Sequence, residues 1–337
     1  MLCLRLEFFG ECSGLKVNPE KTEIFALGNS TLQDVDFPKH NICANIKILG
    51  VYFGYDVKQR DALNFRQTLK DMKKSVNMWK WRGLSLLGKI QIVKTFAVPK
   101  IMYRASVILL SKELIKEAYS IIYGFIWNGK DKVKRHALIS DIKHGGLRML
   151  DIESLIKAKR VMCLKKFLQD YPSSWKTILG KILSPAGGRF LLHCNFDTAK
   201  LKISLPAYYK ECLDAWSELN RKTPSSSHEV INEIIWNNRF LCIDKMSIYR
   251  DDMIKLGFLK IGDVVKANNS SRFNVYSTSL LSPEQNFFLM SLIDSFAAEL
   301  RAFALSFNDS SLIEEIPNDP KIELGNGNPI PICRHLL

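Results

Sequence analysis

No two of the eight cysteines stand in a C-x-x-C arrangement. Their scattered spacing, from Cys3 to Cys333, matches neither a zinc knuckle nor a disulfide framework. Cys333-Arg334-His335 lacks the further ligands that a tetrahedral metal site requires. Free thiols in a reducing compartment are the expectation. No signal peptide precedes the Asn-x-Ser/Thr matches at Asn29, Asn269 and Asn308, which are therefore chance occurrences. The longest apolar candidate, IMYRASVILL at 101–110, contains Arg104 and is too short to span a bilayer. There is no internal repeat. These absences argue against a secreted disulfide scaffold, a zinc ribbon and a membrane-spanning helix. They place the chain inside the cell, in cytoplasm or nucleus, and not secreted.

What is present is ordinary globular material, 47% hydrophobic and 24% charged over 337 residues. Such a length suits two or three compact units. The net charge of +14 is unevenly distributed. Residues 56–183 hold 27 lysines and arginines against 10 acidic residues, a net of +17, while the flanks are close to neutral. A block of this kind attracts polyanions, or else it is a solvated basic face.

Along the chain, MLCLRLEFFGECSG reads as a helix already under way, with Gly14 as its stop, which leads one to expect missing sequence upstream. Asn18-Pro19-Glu20-Lys21 is a turn. Ile24–Leu27 reads as a short strand. IKILGVYFGY reads as a second, with Gly50 at a bulge or close approach. Over 57–80, Phe65, Leu69, Met72, Val76 and Trp79 form one helical stripe with lysines largely off it. Ser85 caps a helix that Pro99 must end or kink. Ser111 to Trp127 is a further helix. A basic loop with Lys130, Lys132, Lys134 and Arg135 follows, then a turn at Gly145-Gly146, then a helix carrying Lys157, Lys159, Arg160, Lys165 and Lys166. Beyond residue 184 the chain is helix-rich and nearly neutral. Ser225–Ser227 is a capping loop, and a long helix is expected over 283–307. From Glu314 onward a Pro-, Gly- and Asn-rich tail is expected to be extended or disordered. The fold class is mainly α with a small β element.

SGLKVNPEKTEIF and IKILGVYFG resemble motifs D and E of the reverse transcriptases of non-LTR (LINE-type) retrotransposons. WKWRGLSLLGKIQIVKTFAVPKIMY resembles their thumb. FIWNGKDKVKRHALISDIKHGGLRMLDI, LPAYYKECLDAW and EIIWNNRF resemble segments beyond it. The similarity covers most of residues 10–265, with its motifs in the family's order. It implies a short α+β palm remnant over 1–55, a helical thumb over 56–127 and a basic connector and helix over 128–183. A helix-rich C-terminal region over 184–312 and a disordered tail over 313–337 complete the implied organisation.

The same resemblance implies RNA-directed DNA polymerisation in the intact family enzyme. There, three carboxylates, two of them in a Tyr/Phe-x-Asp-Asp hairpin, hold two Mg²⁺ ions. Those motifs would lie before Met1, so the expectation is a fragment with no enzyme activity or bound cofactor of its own. Its expected partner is RNA/DNA primer–template, with no membrane and no small-molecule substrate. YRDD at 249–252 stands after motifs D and E instead of before them, amid helical spacing with Ser247 as a possible cap, and reads as an exposed acidic helix turn. Lys21 occupies the place of a motif D lysine that would protonate pyrophosphate. Lacking an adjacent metal site, it reads as a surface turn lysine, and no catalytic or metal residue is assigned. Gly50 and Tyr52 would face a primer end. Lys70, Lys73, Lys74, Lys80, Arg82, Lys89 and Lys94 are candidate phosphate contacts, joined by Lys130, Lys132, Lys134 and Arg135. Trp79, Trp81, Trp127 and Trp236 could stack on bases, though most read as core anchors. His136 and His144 have no ligand partners at suitable spacing. The alternative reading is a decayed, inert helical protein without a nucleic-acid function. A membrane-surface role is weaker, because the 57–80 stripe is better used as core.

Overall fold

The apolar stripe over 57–80 is the spine around which the first half of the chain packs. In this computed structural model, which describes residues 2–16, 18–26, 42–266 and 282–294, the chain divides into two compact units, Met1–Ile156 and Lys157–Leu337. The described residues are mainly helical, with two small antiparallel sheets. Among them no helix is long and apolar enough to cross a membrane.

In the first unit, α1 (Leu2–Ser13) ends before Gly14, as the sequence predicts. Asn18 then organises the expected turn: its side-chain oxygen accepts from the Glu20 and Lys21 amides at 3.0 and 3.2 Å. The strand expected over Ile24–Leu27 is reduced to a single parallel bridge between Ile24 and Ile42, and Leu27 lies outside the described residues. IKILGVYFGY is not one bulged strand but a hairpin. β1 (Asn45–Ile48) pairs with β2 (Val51–Gly54), with Lys47 opposite Tyr52. Leu49 and Gly50 make the turn with φ of 48° and 80°. Positive φ at both central residues is the turn whose twist suits a two-residue hairpin. Gly50 adopts it without strain, whereas Leu49 does so against its Cβ.

Asp56 caps the next helix by accepting from the Lys58 and Gln59 amides. It runs as α2 (Val57–Asp61), a π turn (Ala62–Arg66) and α3 (Gln67–Asn77). Phe65, Leu69, Met72 and Val76 are all buried, as expected, whereas Trp79, the last member of the expected stripe, lies past the end of α3 and is half-buried. Burying side chains of this size contributes about 1.5–3 kcal/mol each. The stripe packs against two later helices, Val98–Ala105 and Lys112–Trp127. Ser85 caps α4 (Leu86–Ile92) through the Gly88 amide at 3.2 Å. Pro99 does not end this helix. A second π turn (Val93–Ala97) precedes it, and α5 (Val98–Ala105) continues beyond. The wide turn accommodates both the missing N–H and the crowding of the preceding carbonyl by the ring. α6 (Lys112–Trp127) starts at the predicted Ser111 cap and closes on Asn128 in the left-handed conformation. After the short α7 (Arg135–Ile139), the chain doubles back through Gly145-Gly146. A Cβ on Gly146 would stand 2.0 Å from the Ser140 carbonyl oxygen, so only glycine fits there. The unit boundary falls in α8 (Ile152–Leu168).

The second unit contains α9 (Ser174–Leu183), several 3₁₀ turns, α10 (Ala207–Leu219) and α11 (Ser227–Asn232). A two-residue hairpin, β3 (Cys242–Ile243) with β4 (Met246–Ser247), precedes α12 (Asp251–Lys255), α13 (Ile261–Lys266) and α14 (Pro283–Asp294). Ser226 caps α11 as expected. At α14, Ser282 accepts from the Gln285 amide while Gln285 accepts from the Ser282 amide, a reciprocal cap. The rest of the helix expected to 307, and the tail from 314, lie outside the described residues. Ser247 does not cap the YRDD helix: it lies in β4 and donates its hydroxyl to the Lys200 carbonyl.

The W-N-N-R stretch is the hub of this unit. The Trp236 indole is fully buried, donates to the Phe258 carbonyl at 2.7 Å and lies parallel to Phe288. The Asn237 side chain donates to the Ala186 carbonyl, and that of Asn238 to Ile234 and Glu233. Arg239 reaches the Phe196 and Ser217 carbonyls.

One buried amide joins hairpin to helix in the first unit. Asn64, 0% exposed, sits in the first π turn. Its oxygen accepts from the Tyr52 amide at 2.9 Å, and its nitrogen donates to the Tyr52 carbonyl at 2.7 Å and the Arg60 carbonyl at 2.9 Å. Asn64→Ala strands buried backbone groups, which costs about 1–3 kcal/mol. We expect that loss in urea unfolding, with faster amide exchange at Tyr52. Unchanged Tyr52 exchange would refute the role given to Asn64.

Candidate nucleic-acid interface

The hairpin tip is rigid and apolar. Leu49 is 85% exposed at the turn, and its carbonyl accepts from the Tyr103 hydroxyl at 2.5 Å. Behind it, Tyr52 is held by Asn64 through both backbone groups. The Lys47 ammonium lies over the Tyr52 ring, 5.1 Å from its centroid. The Asn64 carbonyl accepts from the Thr68 hydroxyl at 2.7 Å, and Arg104 in turn donates to that hydroxyl. Gly50 and Tyr52 are thus placed on a braced two-strand element.

The face of α3 opposite its buried stripe is cationic. Lys70, Lys73 and Lys74 are exposed there, and Arg66 stands one turn earlier on the same face. The single acid from 62 to 80 is Asp71, whose carboxylate accepts from Gln67 at 2.8 Å. Sequence reasoning did not include Arg66, although its i, i+4 spacing to Lys70 was visible. The chain then turns through Met78–Leu84, where Lys80 and Arg82 are exposed. The Arg82 guanidinium lies over the Trp79 ring, 4.5 Å from its centroid, and Phe96 stacks with the same ring at 5.8 Å and 24°. Trp81 differs from the other three candidate tryptophans: it is 92% exposed. Lys94 is half-buried in the second π turn.

Lys89 does not join this face. Its ammonium donates to the Ile126 carbonyl at 3.0 Å and lies over the Phe125 ring, so it closes the C-terminal end of α6. In the basic loop, Lys130, Lys132 and Lys134 are exposed. Arg135 is instead engaged: it pairs with Asp131 at 2.9 Å and lies 4.3 Å from the centroid of the buried Tyr123 ring. Desolvation raises the phenol pKa of both Tyr119 and Tyr123, and Tyr119 also donates to Asp151. Both tyrosines stay neutral through the physiological range. Lys21 is exposed at its 3₁₀ turn, as are His136 in α7 and His144 at the end of a 3₁₀ turn over Ile142–His144.

The YRDD carboxylates serve a helix start. Asp251 pairs with Lys255 at 2.5 Å, one turn on. Asp252 accepts two hydrogen bonds from Arg250 and a third from Gln285. Those donors, Arg250 first, hold the Asp252 carboxyl well below the usual carboxylate range. A two-metal site needs several carboxylates converging with free lone pairs. These two do not fit it, being committed to cationic side chains. Among the described residues no three metal-ligating side chains gather in one place.

Comparison with known proteins gives one informative similarity. No family model matches the chain. It is similar to the "Transposon TX1 uncharacterized 149 kDa protein" of Xenopus laevis, with 24% identity over 246 residues. That alignment covers 67% of this chain and 18% of the relative, so the chain spans under a fifth of the relative's length.

The Arg250–Asp252 pair is partly exposed, so Asp252→Asn should cost under about 1 kcal/mol at neutral pH. Because folding lowers the Asp252 pKa, its contribution is present above the unfolded carboxyl value near 4 and is lost as pH falls below that value. The variant's stability should therefore fall less than wild type's between about pH 5 and 2, measured by urea unfolding across that range. Millimolar Mg²⁺ should leave the Tm of both proteins unchanged. A Mg²⁺-dependent rise in wild type alone would return YRDD to the metal-site reading.

Proposed function

We propose that this chain derives from a non-LTR retrotransposon and corresponds to the region of its reverse transcriptase from the palm edge through the thumb and beyond. Two things support the origin: several motif-like segments stand in the family's order, and the chain is similar to a transposon protein over two thirds of its length. In this reading the first unit grips the sugar–phosphate backbone of a primer–template duplex without reading its sequence. The observation that carries it is the acid-poor cationic face of α3, with Lys70, Lys73 and Lys74 presented outward by a stripe buried on the other side. Lysine is a point charge suited to phosphate, and phosphate contacts carry no base information. Lys80 and the loop lysines Lys130, Lys132 and Lys134 are further exposed cations of the same unit. The braced hairpin with Leu49-Gly50 at its tip supplies a rigid edge for a primer end. The chain's own part is binding, and we assign no step of polymerisation to its residues.

A polarization titration of labelled RNA–DNA duplex at two salt concentrations tests this. Affinity should fall steeply with salt, because each phosphate contact releases bound counterions. Replacing Lys70, Lys73 and Lys74 together with Gln should reduce the log–log salt slope by about 2 to 3. Lys89→Met should leave the slope unchanged and lower Tm, since that ammonium already serves a helix end. Equal affinity at both salts, or no binding at either, would end the binding claim. Primer extension by the chain alone should yield no Mg²⁺-dependent product.

A further inference from the structure

Among the described residues of the first unit, Trp81 is the most exposed large apolar side chain, yet its turn is built firmly. The amides of Trp79, Lys80 and Arg82 donate to the carbonyls of Val76, Asn77 and Trp79 at 3.1 to 3.2 Å, and the Leu84 amide donates to the Arg82 carbonyl at 2.6 Å. Two residues earlier, Trp79 is in contact with both Arg82 and Phe96. The turn therefore holds an indole in water on a hydrogen-bonded support, next to Lys80 and at the end of the helix that bears Lys73 and Lys74. An apolar ring held this way invites a flat partner, and the surrounding cations favour one that carries negative charge.

We propose that Trp81 is a stacking platform for an unpaired nucleotide next to the duplex, with the phosphates of that nucleotide held by Lys80 and the last turn of α3. The inference rests on the duplex-binding reading given above and adds a strand and a residue to it. Bases inside a duplex have both faces covered by their neighbours. Beside a grip on the duplex backbone, the indole's partner is therefore a base freed from pairing, in a single-stranded segment. Arg82 is not the base's partner, because its guanidinium already covers Trp79. Stacking on an aromatic ring is tolerant of base identity, in keeping with a backbone grip that does not read sequence.

The test compares three probes on the full chain: a blunt RNA–DNA duplex, the same duplex with a short single-stranded template overhang, and that duplex with an abasic overhang. Wild type should bind the overhang duplex more tightly than the blunt or abasic ones. Trp81→Ala should remove that increment, roughly five- to a hundredfold, while leaving blunt-duplex affinity and Tm unchanged. Trp81→Phe should keep most of it. If wild type binds the blunt duplex but gains nothing from overhang bases, the stacking inference fails and duplex binding stands. Stacking is likewise overturned, with duplex binding intact, if Trp81→Ala weakens all three probes equally. An intact overhang increment in Trp81→Ala, with altered sedimentation of the protein alone, would assign the indole to a contact between copies and overturn the proposal. Absence of binding to any probe would overturn both readings together.

Discussion

Asn64 has no contact with water, and its carboxamide meets both backbone polar groups of Tyr52 while returning a hydrogen bond to its own helix at Arg60. A buried amide of this kind is costly to leave unpaired and specific when paired. It ties β2 to the helix at a single residue. A one-residue slip of the hairpin would turn every side chain to the other face and break these bonds together. The π turn is part of the same device, since it places Asn64 on the buried side next to Phe65. Thr68 and Arg104 carry the polar contact into α5, and neighbouring Tyr103 reaches back to the hairpin at Leu49. The strained left-handed Leu49 is held by that hydroxyl and by the ladder on either side.

The cations divide by what surrounds them. Lys89 and Arg135 lie against aromatic rings and meet a helix carbonyl or a carboxylate. In the second unit, Arg160 is 0% exposed, pairs with Glu211 and lies over Tyr208, while Lys176 turns its ammonium into the Gln169 and Tyr171 carbonyls. Arg160 and Lys176 have exchanged water for protein dipoles, as a buried charge must, whereas Arg135 remains exposed beside its partners. The lysines on the outer face of α3 and in the 128–134 loop keep their hydration. They are the ones available to a polyanion, because releasing water and counterions from an exposed ammonium is far easier than opening a packed pair. The excess charge of the central block is therefore a mixture of structural cations and a surface.

Much of the fold is legible in the sequence because it depends on near neighbours. The Ser85, Ser111, Ser226 and Ser282 caps, the α3 stripe and the Gly145-Gly146 turn involve residues no more than a few positions apart. The elements that differ from expectation share another feature. The hairpin at Leu49-Gly50 lacks the usual Asn or Asp before glycine, so the run passes for one strand. Pro99, expected to end or kink its helix, does not end it, because a π turn stands before it and the helix continues. Ser247 resembles a cap until β4 takes it. Asn64 and Thr68 do leave a trace, as polar residues four apart on the flank of an apolar stripe. Their partners, at Tyr52 and Arg104, are beyond any periodicity argument.

Helix spacing, capping chemistry and the concentration of lysine in one block followed from the order of residues, since each is a local property of adjacent side chains and backbone. That established a mainly helical chain with a cationic centre. Which cations face water, which tryptophan stands exposed and where the YRDD carboxylates are spent was decided only by tertiary packing. Those outcomes depend on whether a distant carbonyl, ring or opposite charge arrives within hydrogen-bonding distance, and the one-dimensional order of residues does not carry that distance.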